Sequence, residues 1–381
     1  MLIRLAGFGK ALYKLLFRTA KCKIHIPNGS SEEHVTYGTA CKKQGYHSVN
    51  SVLRLLHRGW KELDGREISA PFSPAQLAVS PLGPPTGFEK SSEDSAWLEA
   101  PFPNLPAPLY LAGDTTSSLD LAHALAEAGA LPEWGSVITL TQSSGRGQLR
   151  RNWISPQGNM YAAVRLPMEG AFSSDAAALA VGVLLVSGLE KAGAGVFLKW
   201  PNDIIQISTG AGIRSSEKIG GILLEERNGI LLAGIGINVA SAPEASRLRE
   251  SHAVPAGTLR FPPLHPLQTP SDKSLGQVFT LWALLVEHIF FCYKQKISSA
   301  GTASDNEDWW FDMASVRLAF RQEPVRLVDA QSAEGEEIPH LVDGLLEGIN
   351  RDGTLCLITN QGRKIFIGGS LVPMRGAGTK R

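Results

Sequence analysis

The sequence of 381 residues predicts an α+β fold, a mixed sheet with helices joined to a small C-terminal β-barrel, and three observations carry that prediction. Strand and helix patterns are interleaved between residues 109 and 315, as in a layered domain built on a sheet. Asn228-Gly229 separates two apolar runs, 219–226 and 230–239, and Asn-Gly between such runs is the strongest two-residue hairpin signal because both positions tolerate positive φ. Beyond Trp309 the pattern changes to short strands, 325–329, 341–349, 354–359 and 364–367, separated by the turns Arg351-Asp352-Gly353 and Asn360-Gln361-Gly362.

Residues 1–70 form a basic, helix-leaning region with no assignable motif. Within it, residues 1–26 hold six basic residues and no acid, with Leu5, Phe8, Leu12, Leu15 and Leu16 at helical spacing. Such a segment reads as an organelle transit peptide, a membrane-surface helix or a solvated helix. Residues 47–60 supply one further helix, with no second helix at recognition spacing. From 71 to 108 the chain carries nine of its 23 prolines among serine and glycine, the composition of an irregular linker and a domain boundary.

After the linker, 108–112 reads as a strand and 118–130 as a helix with leucine and alanine on one face, ended by glycine and Pro132. Residues 136–142 alternate as a strand, a glycine-arginine loop follows, and 159–167 resumes strand character. Asp175 is expected to cap an alanine-rich helix running to Lys191. A strand at 196–200, the 219–239 hairpin, a loop-rich passage at 240–270 and a long helix at 274–295 complete the domain. The expected division is therefore 1–70, 71–108, a catalytic domain at 109–315 and a barrel at 320–375.

Composition excludes little but useful ground. Lysine plus arginine (37) nearly balances aspartate plus glutamate (36), so global charge gives no reason to expect nucleic acid or a membrane as partner. The apolar stretches 176–189 and 278–293 are too short or too charged to span a bilayer, which needs about 20 apolar residues. Cys22, Cys41, Cys292 and Cys356 lack a CxxC pair or histidines at zinc spacing, so neither a metal site nor a disulfide framework is indicated. That usage fits a reducing compartment, and the cytoplasm is the expected location, with an organelle as the alternative.

The chemistry sits in three glycine-punctuated segments: Ser143 to Trp153, containing Gly145, Arg146, Gly147, Arg150 and Arg151; Lys199-Trp200-Pro201-Asn202-Asp203; and Lys218-Ile219-Gly220-Gly221-Ile222. Glycines let the loop fold closely over a ligand while its arginines face phosphate. Lys218 and Lys199 are compact charges on strand segments, suited to phosphate oxygens around an activated acyl group. Together these parts point to nucleotide chemistry and a ligase.

With Asp114-Thr115-Thr116-Ser117 before them and Gly234-Ile235-Gly236-Ile237-Asn238 after them, the segments resemble the signature of the biotin protein ligase family, over about residues 109–372. The resemblance implies a fold like that of class II aminoacyl-tRNA synthetases and biotin ligases, closed by an SH3-like barrel. It also implies that biotin is activated with ATP as biotinyl-5'-AMP and transferred to a lysine of a biotin carboxyl carrier protein or carrier domain, with Mg²⁺ as counter-ion.

By the same resemblance, Lys218 and Arg146 are catalytic. Thr115, Thr116, Ser117, Gln142, Gly145, Gly147, Trp153 and Gly221 join them in binding biotin, while Arg150, Arg151, Lys199, Asn202, Asp203 and Asn238 hold ATP. Asn202 and Asn238 offer neutral oxygens toward Mg²⁺, with tight-turn satisfaction as their alternative role; helix capping is the alternative for Thr116 and Ser117. Gln148 stands where a common family form has arginine, which implies altered retention of the adenylate. A homodimer through a sheet edge follows by analogy only. The competing readings are a lipoate or octanoate ligase on the same fold, and a non-catalytic biotin-sensing repressor, which would need a DNA-reading module that the sequence does not display.

Overall fold

The structure, a computed structural model, describes residues 52–56, 60–61, 67–68, 89–90, 97–101, 105–148, 151–210, 213–244, 254–262, 275–299, 305–333 and 340–374. The basic segment 1–26 and most of the 47–60 helix expectation lie outside these residues. All described elements belong to one compact unit, residues 50–381.

In chain order the first strands are β1 (Val52–Leu56), β2 (Trp60–Lys61), β3 (Glu67–Ile68), β4 (Glu89–Lys90), β5 (Trp97–Pro101) and β6 (Leu109–Thr115). Helix α1 (Ser118–Glu127) leads to β7 (Ser136–Gln142) and β8 (Met160–Leu166), and α2 (Ala177–Lys191) to β9 (Val196–Lys199) and β10 (Asp203–Gly210). Strands β11 (Ile213–Arg227) and β12 (Ile230–Ile237) form the hairpin; α3 (Leu275–Ser299) and α4 (Asp305–Arg317) follow. The chain ends in β13 (Pro324–Ser332), β14 (Leu341–Ile349), β15 (Leu355–Thr359) and β16 (Gly362–Pro373), which close into a barrel.

Ten strands form one mixed sheet in the order β4-β5-β1-β6-β7-β8-β12-β11-β10-β9. Strand β6 runs parallel to both β1 and β7, and the remaining pairs are antiparallel. The hairpin turns as its sequence requires: Asn228 and Gly229 both have positive φ, 55° and 72°, the geometry of a two-residue turn whose twist matches its strands.

Period-two alternation sends side chains to two different environments. One face presents Leu109, Leu111, Ile138, Ala162, Val164, Ile235 and Ile237 to the main core, which also contains Leu184 and Leu185 of α2, Trp282 and Leu285 of α3, and Trp310 of α4. The other presents Tyr110, Ala112, Val137, Ala163 and Leu232 to Leu119, Leu121, Ala122 and Leu125 of α1 and to Leu131 beyond it. Among the described residues one short helix covers part of that second face, and the site lies beside it.

Several expectations are corrected. Residues 52–56, expected to be helical, form a strand that pairs in parallel with β6 and antiparallel with β5; an apolar run of this length fits either state, and the open edge of β6 selects strand. The stretch 71–108, expected to be an irregular linker, contains β4 and β5, so the sheet runs through the anticipated boundary. Asp175 does not cap α2: Ala176 is the N-cap with no side-chain hydrogen bond, and a 3-10 turn at Gly170–Ser173 leads into the helix. Strand β10 and helix α4 went unforeseen. Burial of Trp309 and Trp310, with Trp309 edge-on to Phe172 and Tyr293, makes α4 part of the core.

The barrel is bonded to the sheet domain. Trp200 Nε1 donates to Gly353 O at 2.9 Å, and in the segment leading into the barrel Ala319 N donates to Leu198 O at 2.8 Å. Because β1 and β5 extend the sheet, a chain lacking residues 1–104 should expose the backbone of β6 as an unpaired edge. Its melting temperature is expected to fall and its aggregation to rise in thermal unfolding followed by light scattering; an unchanged midpoint would mean that the added strands contribute nothing.

Candidate active site

The site follows from a line of register partners across the partly covered face. Lys199 pairs with Asp203, Asp203 with Gly221, Gly221 with Gly236, Gly236 with Tyr161, and Tyr161 with Thr139. Directly paired residues share a face, so these side chains line one transverse row. Two adjacent glycines in its middle leave a trough in the sheet.

Strict alternation would send Lys218, three residues before Gly221, to the opposite face. A register shift between Ile204 and Ile205 lets Ile205 pair with Lys218 while Ile204 pairs with Gly220, which returns Lys218 to the face of Asp203. Its ammonium lies 2.5 Å from Asp203 Oδ1, and the Lys199 ammonium lies 2.7 Å from Asp203 Oδ2. The Lys199 side chain is almost fully buried (4% exposed), whereas that of Lys218 is 34% exposed. Burial alone would raise the Asp203 pKa, but the two lysines overcome it and hold the carboxyl down at about 2. A cluster of two cations on one anion carries a net positive charge at the end of the trough.

Trp153 covers the glycines. A methyl group at Gly236 would lie 2.6 Å from Trp153 Cε2, and one at Gly221 would lie 3.3 Å from Cζ3, so glycine at both positions is what lets the indole approach the sheet. Lys218 Nζ is 5.7 Å from the indole centroid, within cation–π range. The indole Nε1 is buried and finds no hydrogen-bond partner among the described residues.

The neutral end of the site is built at the start of α1. Ser117 is the N-cap, its hydroxyl accepting from Asp120 N at 3.0 Å. Gln142 Oε1 accepts from Ser118 N at 2.8 Å, and Gln142 Nε2 donates to Ser155 Oγ at 2.9 Å. Thr115, Thr116 and Ser117 are buried beside them, and Thr115 Oγ1 reaches Thr141 O at 3.5 Å. Gly145 is wedged between Gln142, Ser155 and the Trp153 backbone, which leaves no room for a side chain. The glycine-arginine loop folds back on itself, Trp153 N donating to Gly145 O at 2.8 Å and Gly147 N to Arg151 O at 2.7 Å.

Lys199, Asp203, Lys218, Gly221 and Trp153 are thus brought together, with Gln142, Gly145 and the Thr115–Ser117 segment adjoining through the loop. Arg146 does not face this cationic end. Its guanidinium is engaged by Asp120 at 2.8 and 3.1 Å and by Glu225 at 3.0 and 3.2 Å. Asn202 and Asn238 satisfy their turns: Asn202 Nδ2 donates to Ile222 O at 2.6 Å, and Asn238 Nδ2 to Gly257 O at 3.1 Å. Arg151 is exposed, and Arg150 lies outside the described residues.

Sequence reasoning missed Gly236 as floor, Ser155 as partner of Gln142, and the Arg146 carboxylates Asp120 and Glu225. It also missed Asn159, whose Oδ1 accepts from the backbone N–H of Val239, Ala240 and Ser241 and fixes the chain after Asn238. Only Asp120 carried a usable signal, an acid in the first turn after a serine cap.

Residues 117–241 match the Biotin/lipoate A/B protein ligase family. Among characterised proteins, the biotin--[acetyl-CoA-carboxylase] ligase of Paracoccus denitrificans is 26% identical over 255 residues, 64% of this chain and 92% of that protein. The bifunctional ligase/repressor BirA of Bacillus subtilis (strain 168) is 27% identical over 264 residues, 66% of this chain and 70% of the relative. A biotin protein ligase from Aquifex aeolicus, solved in complex with biotin and ATP, shares the fold with a TM-score of 0.50 and 22% identity, covering 70% of this chain and 98% of its own.

Two outcomes follow from the geometry. Replacing Asp203 by Asn strands the buried Lys199 charge, and the loss should be about 3 kcal/mol in denaturant unfolding. A carboxyl whose folded pKa is depressed stabilises above its unfolded value, so in the wild type this contribution is full above pH about 4 and lost as pH falls toward about 2. Gly236→Ala should drive the indole off the sheet, shifting tryptophan emission to longer wavelength; the same substitution on a Trp153→Phe background should give no shift.

Proposed function

We infer that this chain, which carries through residues 117–241 a domain of the biotin/lipoate A/B protein ligase family, is an ATP-dependent biotin ligase acting on a carboxylase carrier domain. The observation that carries this reading is a trough neutral at one end and cationic at the other, floored by Gly221 and Gly236, with the Trp153 indole seated on that floor. Biotin has the matching shape: an uncharged ureido ring, an apolar body and a terminal carboxylate.

In the first half-reaction the biotin carboxylate attacks the α-phosphorus of ATP, a P–O bond forms, and pyrophosphate leaves. Negative charge crowds on the reacting oxygens, and fixed cations in a water-poor site stabilise it. Lys218 is the exposed member of the pair on Asp203 and is placed to move onto a carboxyl or α-phosphate oxygen. Lys199 then remains to neutralise the buried carboxylate. Asp203 thereby lets one lysine serve the ligand without leaving an uncompensated charge in the core.

Thr115, Thr116, Ser117 and Gln142 supply donors and acceptors for the ureido ring, and Gly145 and Gly147 let the loop close over it. Asn202 and Asn238 fix the turns on the nucleotide side, and Arg150 and Arg151 are the loop cations this reading assigns to phosphate. Mg²⁺ would enter as a counter-ion carried in by ATP, since Asp203 is already neutralised by Lys199 and Lys218. In the second half-reaction the carrier lysine amine attacks the mixed-anhydride carbonyl and AMP leaves. Proximity and a good leaving group suffice, without a protein nucleophile.

Purified protein should catalyse biotin-dependent exchange of pyrophosphate into ATP and transfer biotin to a carrier domain; absence of both overturns the reading. Lys218→Ala should lower exchange by about a hundredfold or more with the circular dichroism spectrum retained. Lipoate, the substrate of the alternative ligase class, should fail to compete with biotin in the same assay.

A further inference from the structure

We propose that Asp120 and Glu225 are positioning residues which clamp the glycine-arginine loop through Arg146, so that Arg146 sets the loop's place over the trough rather than binding phosphate. The loop leaves β7 and returns to β8, and its internal hydrogen bonds at Gly147, Arg151 and Trp153 shape it without fastening it to the sheet. Its two ends are tied, Ser143 N and Ser144 N donating to Thr115 O and Thr116 O and Ser155 Oγ accepting from Gln142, and Arg146 supplies the side-chain fastening of the arc between them. Its Nη1 and Nη2 grip both oxygens of Asp120 in the first turn of α1, while Nε and Nη2 grip both oxygens of Glu225 on β11.

A planar guanidinium held bidentately on two edges fixes position and orientation together. The three side chains are between 22% and 33% exposed, so solvent only partly screens them. Burial disfavours the charged form of Asp120, but the Arg146 hydrogen bond and charge, aided by the Thr116 and Ser117 hydroxyls, keep the carboxyl below its ordinary range. Glu225 also has His123 Nε2 at 3.7 Å and Arg227 Nη2 at 4.0 Å.

Two features separate this role from phosphate binding. Glu225 lies four residues beyond Gly221 on the same strand and face, roughly 13 Å from the level of the lysine pair. An anion reaching Arg146 would also have to break four charge-assisted hydrogen bonds and approach two carboxylates. What the clamp does control is Trp153: Arg146 bridges to Asn152, and Trp153 N is bonded to Gly145 O, so fixing the guanidinium fixes the approach of the indole to Gly221 and Gly236.

The consequence for biotin rests on the ligase reading, whereas the clamp does not. Amide hydrogen exchange over residues 143–155, in full-length protein without substrates, should be about tenfold faster or more in Asp120→Asn and Glu225→Gln, with α2 amides unchanged as the control. Adding Arg146→Ala to the Asp120→Asn/Glu225→Gln pair should produce no further acceleration. Should that combined variant lose α2 protection, the single Glu225→Gln protein carries the same expectation.

In pyrophosphate exchange, KM for biotin should rise about tenfold in Glu225→Gln while KM for ATP moves little, with Glu225→Asp recovering part of the loss. Unchanged loop exchange in both single variants, or a rise in KM for ATP on adding Arg146→Ala, overturns the proposal. Wild-type protein inactive toward biotin but showing the accelerated loop in the variants would overturn the ligase reading alone.

Discussion

One buried carboxylate organises this site. Asp203 sits at the first position of β10, accepts the ammonium of a buried lysine on one oxygen and that of a half-exposed lysine on the other, and is held ionised although burial opposes it. Each partner needs the others: Lys199 has little solvent to screen it, and burial would raise the Asp203 pKa without its cations. The cost of burying Lys199 and Asp203 is offset only because the three charges satisfy one another, and the result is an excess of one positive charge facing the trough.

The sheet converts that cluster into a shaped site. Register places Gly221 and Gly236 beside Asp203, and the missing side chains admit the Trp153 indole against the backbone. The loop carrying Trp153 is anchored elsewhere, by Arg146 on Asp120 and Glu225. Charge is therefore used twice on one face, once to create an anion-attracting end and once to tie down the cover. The two uses are kept apart by the length of β11 between Gly221 and Glu225.

The rear of the sheet supports this arrangement without joining the chemistry. Helices α2, α3 and α4 fill the main core, and the strand end that precedes Asp203 is bonded to the barrel through Trp200 and to the segment entering it through Leu198. The Lys199–Asp203 turn is thus held between sheet and barrel. At the other side β1 and β5 continue the sheet past β6, so the stretch ahead of the family-matching residues contributes backbone pairing to the same layer.

Local sequence decided what depends on neighbouring residues alone. The Asn228-Gly229 turn, the span of β7, the serine cap of α1 and the barrel strands were legible because φ preferences, alternation and capping act over a few positions. The motif residues Lys199, Asp203 and Lys218 were legible as a set through their resemblance to the biotin ligase family. Tertiary structure alone decided that the register shift brings Lys218 onto the face of Asp203, and that Arg146 turns to two carboxylates 26 residues before and 79 residues after it in the chain. It also decided that residues 52–56 become a strand. These outcomes depend on partners distant in sequence, whose charge and open hydrogen-bonding edges exist only once the sheet is assembled, and no local preference encodes them.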